Sequence, residues 1–162
     1  MAHIAFLVDW EKFQAELKAT RSYEQTLDHF TYESGPEDLD DMENSTFHLI
    51  WTWIRDHLDV PWQNAFENIF SFELNPAIQL EKEQGYEPYP RFWISKTCSP
   101  EEVKFHLKAW RDIEYKPLLR RIPKKYRARY IGMALYAKEW KQIFKKARDE
   151  GKGLVICFRW DH

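Results

Sequence analysis

Residues 136–160 read YAKEWKQIFKKARDEGKGLVICFRW, a helix, its stop signal and a strand in one sweep. Tyr136, Trp140, Ile143, Phe144 and Ala147 recur at i, i+4, i+7, i+8 and i+11, the apolar stripe of an amphipathic helix. Lys138, Lys141, Lys145, Lys146 and Arg148 fill the other faces, with cations late in the helix where the dipole favours them. Gly151 supplies the left-handed position that ends helices. Leu154, Val155, Ile156, Cys157 and Phe158 then run without a polar break, the pattern of a strand covered on both faces. Such a strand belongs in the middle of a sheet with helices above and below it.

The rest of the chain supplies partners for this unit. Residues 3–8 are a short apolar strand, and Asp9 is an N-cap for a helix over 10–20 whose Trp10, Phe13 and Leu17 share a face. Ser34-Gly35-Pro36 reads as a turn, followed by an acidic run that includes Glu37, Asp38, Asp40, Asp41 and Glu43. A helix is expected over 45–58, ended by Asp59-Val60-Pro61, and residues 62–72 suit another short one. Residues 75–90, punctuated by Pro76, Gly85, Pro88 and Pro90, read mainly as loop before a strand over 91–95. Ser99-Pro100-Glu101-Glu102 combines an N-cap serine, proline at the first helical position and a capping-box glutamate, so a helix over 99–112 follows. These elements predict a single α+β domain, with a small mixed sheet of three or more strands packed against several amphipathic helices.

Composition bounds the function. A chain of 162 residues with eight Trp, eight Tyr and eleven Phe can bury one substantial core. No apolar run approaches the roughly 18 residues of a membrane span, and the opening MAHIAFLVDWEK lacks a basic leader region. Cys98 and Cys157 are far apart and lack metal spacing, which suits reduced thiols in a cytoplasmic protein. Charge is asymmetric. Residues 1–81 hold only Lys12, Lys18, Arg21 and Arg55 as cations against sixteen carboxylates, and residues 82–162 reverse the balance. Either the two halves neutralise each other on folding, or they form faces aimed at different partners.

Several of these stretches carry a resemblance. The opening IAFLVDWEKFQAEL, the helical Phe47-His48-Leu49-Ile50-Trp51, and Gly85-Tyr86-Glu87-Pro88 leading into Arg91-Phe92-Trp93-Ile94-Ser95 resemble the YfbM-like family of small bacterial proteins of unknown function. The Ser-Pro-Glu-Glu-Val helix start and the closing helix, glycine and apolar strand are similar to that family too. The chain departs from it where the second histidine of its Trp-His-x-Leu-His helix is Trp51 and its Leu-Thr-Gly exit is Arg55-Asp56-His57. The resemblance implies an α+β fold in a bacterial protein and implies no established activity.

Two constellations carry candidate chemistry. His48, Trp51 and Arg55 lie within two turns of one helix, and Tyr86 and Arg91 could face them across a cleft suited to a small anion or peptide carboxylate. The structural reading sets Trp51 in the core and Arg55 in solvent. Residues 115–130 interleave cations (Arg120, Arg121, Lys124, Lys125, Arg127 and Arg129 among them) with tyrosines, and 116–129 contain no acid. That surface suits an acidic protein partner, the phosphates of a nucleic acid, or the chain's own acidic run. No catalytic residue, metal site or cofactor motif is expected: Cys98 lacks a base, and H-E-x-x-H, G-x-S-x-G and Gly-rich phosphate loops are absent. The expected function is therefore a non-enzymatic binding protein of regulatory or immunity type with a protein partner. A ligand sensor or small-molecule enzyme around His48, Arg55 and Arg91 stands second, and nucleic-acid binding through 116–129 third.

Overall fold

The computed structural model describes residues 2–37, 52–58, 80–112 and 120–159. Four strands form one sheet in the order β2-β1-β4-β3. In chain order they are β1 (Ala2–Val8), β2 (Tyr32–Glu37), β3 (Phe92–Cys98) and β4 (Gly153–Arg159). The apolar C-terminal ribbon is interior: β4 lies between β1 and β3, and Leu154, Val155, Ile156 and Cys157 are all completely buried. All three pairings are antiparallel, so the sheet is antiparallel where a mixed one was expected. The reason lies in the connections. Two helices return the chain from β1 to β2, and the helices between β3 and β4 do the same, so sequential strands become antiparallel neighbours.

Helices cover both faces. On one side α1 (Trp10–Thr20) and the short α2 (Tyr23–Leu27) seat Phe13, Leu17, Tyr23 and Leu27 on Ile4, Phe6, Val8, Ile94, Val155 and Cys157. His3 meets Trp140 edge-on at 5.7 Å from the opposite side. Strand alternation therefore turns Ala5 and Leu7 toward the second helical layer. That layer is α5 (Pro100–Asp112) and the long α6 (Arg127–Asp149), which bury Val103, His106, Leu107, Trp140, Phe144 and Ala147. Between the two helical pairs lie α3 (residues 52–57) and α4 (Leu80–Gln84).

The local signals act as their chemistry requires. Asp9 accepts the Lys12 N–H at 3.2 Å. Ser99 Oγ accepts the Glu102 N–H at 3.2 Å, and the Glu102 carboxylate accepts the Ser99 N–H at 3.4 Å, closing the capping box. Gly151, at φ 67°, ends α6 in a Schellman arrangement in which Lys152 N–H reaches Ala147 O at 2.8 Å. α6 begins at Arg127, well before the expected start near Tyr136. A 3₁₀ turn over Lys124–Tyr126 leads into it.

Two expectations are corrected. Ser34-Gly35-Pro36 is not a turn but the outer strand β2, where proline's missing N–H costs nothing because no neighbour needs it. The stretch before β3 is not all loop. Leu80–Gln84 is a helix whose exit at Gly85 (φ 73°) repeats the Schellman pattern, with Tyr86 N–H bonded to Glu81 O at 2.8 Å. Read as punctuation, Gly85 suggested loop; it is the last residue of a helical cap.

Candidate functional site

α4 seals the outer edge of the sheet. Glu81, only 1 % exposed, accepts the Ile94 N–H of β3 at 3.3 Å, so a side chain takes the place of a fifth strand. Its second oxygen, Oε2, is buried without a hydrogen-bond partner. Beside it the Tyr23 hydroxyl donates to Gln84 Oε1, and burial first, then the Glu81 charge, pushes Tyr23 well above the usual phenol range. Burial, with Asp28 and Glu24 adding, pushes Tyr89 up to about 12.

Of the proposed cleft residues, Tyr86 and Arg91 belong to this neighbourhood. Tyr86 is half-buried and meets Tyr23 edge-on at 5.8 Å, held by the bond from Glu87 N–H to Arg21 O. Arg91 is exposed just before β3. Arg55 lies elsewhere, exposed on α3 beside Asp56. His48 and Trp51 lie outside the described residues, as does the acidic run after Glu37. Tyr86 is thus a packing group between α2 and α4.

The basic segment is built differently. Ile122 is 2 % exposed and pins the segment to the body, while Arg120, Arg121, Lys124 and Lys125 on either side of it are exposed. Arg121 donates to His57 O at 3.4 Å, at the C-terminal end of α3, where a cation complements the helix dipole. This contact brings together two stretches that the sequence keeps apart. The end of α3, anchored by buried Ile54 and Leu58, sets Arg55 and the stacked rings of Trp53 and His57 (4.9 Å apart, 10° between planes) beside the basic segment. Arg127 is half-buried at the start of α6, and its Nε is buried without a hydrogen-bond partner. The side chain of Arg129 lies outside the described set.

Some exposed cations sit next to carboxylates: Lys12 by Glu16, Lys104 by Glu101, Lys146 by Glu33 and Arg148 by Asp149. Arg120, Lys124 and Arg127 have no ion pair among the described residues, and Lys125 lies over the ring of Tyr126 at 4.9 Å. The segment also borders exposed aliphatics, because Ile131 and Leu135 in the first turns of α6 are 48 % and 59 % exposed. The sequence pattern starts the helix near Tyr136 and so leaves both residues outside it; in the structure Tyr130 and Trp140 pack inward on α6 and Ile131 and Leu135 face outward.

Elsewhere the described residues offer little chemistry. Both thiols are buried; burial pushes Cys98 up to about 12 and Cys157 well above its ordinary value. No group of three metal-binding side chains occurs among the described residues, and no helix among them is long and apolar enough to cross a membrane. No family model, curated protein or solved structure matches the chain.

Proposed function

We propose that this chain is a non-enzymatic binding protein that engages an acidic protein partner through the face formed by Arg120, Arg121, Lys124, Lys125 and Arg127. The observation that carries the reading is the lack of any ion pair for Arg120, Lys124 and Arg127 among the described residues, next to exposed Ile131 and Leu135. An anionic partner supplies a Coulomb attraction that no described carboxylate supplies to these side chains, and aliphatic neighbours suit protein rather than phosphate. A bacterial, cytoplasmic, regulatory or immunity-type role, and membership of the YfbM-like family, belong to the same proposal. One feature favours nucleic acid as the second reading: the stack of half-buried Trp53 and exposed His57 beside Arg121 is a platform on which a base could sit.

The test is affinity capture from a bacterial lysate by the wild-type chain and by the reversal Lys124→Glu/Lys125→Glu, with melting curves confirming the fold. The protein reading expects an acidic protein that is captured by wild type, lost on reversal and insensitive to nuclease. Capture abolished by nuclease, or capture unchanged by reversal, overturns it.

A further inference from the structure

The basic face continues along α6 as a stripe. Ala128, Ile131, Leu135, Glu139 and Gln142 are all exposed and fall at i, i+3, i+7, i+11 and i+14, one side of the helix. At 1.5 Å per residue the stripe is about 21 Å long. Its first half is apolar. Lys124 and Lys125 stand before it, and Lys138, which has no ion pair among the described residues, stands beside its middle. Its second half opens into a pocket of about 350 Å³ between α6 and the outer strand β2, lined by Glu33, Ser34, Glu139, Gln142, Ile143 and Lys146. Ile131 and Leu135 are two exposed aliphatic side chains one helical turn apart, with Lys124 and Lys125 before them, Lys138 after them and the stripe's carboxylate, Glu139, beyond Lys138.

Resting on the reading of the basic face as protein-binding, we propose that this stripe receives an acidic amphipathic α-helix of the partner. That helix sets two aliphatic side chains, one turn apart, against Ile131 and Leu135, and places carboxylates over Lys124, Lys125 and Lys138. The recognition element is itself a helix ridge, and grooves between i+3 and i+4 rows accept the rows of a second helix better than an extended strand, which needs a sheet edge. The charges select acidic flanks. Nucleic acid gains little from Ile131 and Leu135, which offer no ring on which to stack.

The test titrates the isotope-labelled full chain with three synthetic peptides and follows amide shifts. The first, about four turns long, carries leucines at i and i+4 flanked by glutamates. The second has the same composition with the leucines two residues apart, so that they cannot share a helix face, and the third is polyglutamate. The inference expects shifts centred on residues 124–139, helix formation in the first peptide on binding, and affinity at least about tenfold above that for the second. It also expects loss of that advantage in Leu135→Ser and in Ile131→Ser, both exposed positions whose variants are checked by melting. Equal binding of all three peptides overturns the helical partner while leaving the acid-binding reading standing. No binding of any acidic peptide overturns both. Concentration-dependent dimerisation that shields residues 124–139 makes a second copy the occupant and overturns the inference.

Discussion

Gly153→Ala tests the architecture most directly. Gly153 is the first residue of β4, paired with Val8 on one side and adjacent to β3 on the other. A Cβ built there falls 2.6 Å from the Cys98 carbonyl oxygen and 2.6 Å from Trp10 Cε3. Both are about 0.8 Å inside the 3.4 Å at which ordinary contact begins. Neither neighbour can yield freely. Cys98 is in register with Leu154, so moving its carbonyl loosens the β3–β4 ladder. Trp10 is packed on Phe13 with ring centroids 5.6 Å apart.

Overpacking of this kind costs about 1–3 kcal/mol, and for a chain of this length each kcal/mol lowers Tm by roughly 2–4 °C. Thermal melts should therefore place Gly153→Ala roughly 2–12 °C below wild type. Adding Trp10→Leu should recover only part of the loss, because the carbonyl contact remains. Gly151→Ala is the control: φ is 67° with nothing within 4 Å of the new Cβ, so only left-handed strain of about 1–2 kcal/mol applies. A Gly153→Ala protein that melts with wild type would refute the close approach of Gly153 to Cys98 of β3 and Trp10 of α1.

Three further outcomes follow from the same coordinates. Burial raises Cys98 to about 12 from an ordinary 9.0 and Tyr89 to about 12 from 10.0, and raises Cys157 and Tyr23 as well. The unfolded chain then loses these protons first, so stability is full below pH 9 and falls as pH rises toward 12, by up to about 1.4 kcal/mol per pH unit for the Cys98 thiol and less for the more solvated Tyr89; urea unfolding at stepped pH reads the slope. Ser99→Ala removes the acceptor for Glu102 N–H and should cost about 1 kcal/mol in the same assay, with an unchanged midpoint counting against the capping box. Glu81→Gln keeps an acceptor for Ile94 N–H, whereas Glu81→Ala leaves that buried donor unmet, so the alanine variant should be less stable than the glutamine one by about 1–3 kcal/mol.

What the sequence discloses and what it withholds divide by range. Caps, the Gly151 stop and the Trp140–Ala147 stripe rest on residues within a few positions of one another, and each is found where its pattern places it. β2 and α4 fail that test because their justification is remote. Pro36 is tolerable only if its strand lies at the sheet's edge, and Glu81 is buried only because Ile94, thirteen residues on, presents an N–H to it. The candidate site is the same case at longer range. The basic composition of 116–129 is plain, but the docking of Arg121 on the end of α3 spans 64 positions.

That range dependence bears on the charge asymmetry of the two halves. Neutralisation between them does occur, at the C-terminal half of α6, where Lys146 pairs with Glu33 of β2. Antiparallel pairing sets this, because Glu33 is in register with Ala5 and so faces the same helical layer as α6. The opposite end of α6 lies beyond the reach of β2, and there Lys124 and Arg127 find no carboxylate among the described residues. Lys146 is thus paired across the fold, whereas Lys124 and Arg127, just before and at the start of α6, are paired with no described carboxylate. On the proposed reading, an incoming anion at Lys124 and Arg127 gains Coulomb energy without first breaking a native pair such as the one that holds Lys146.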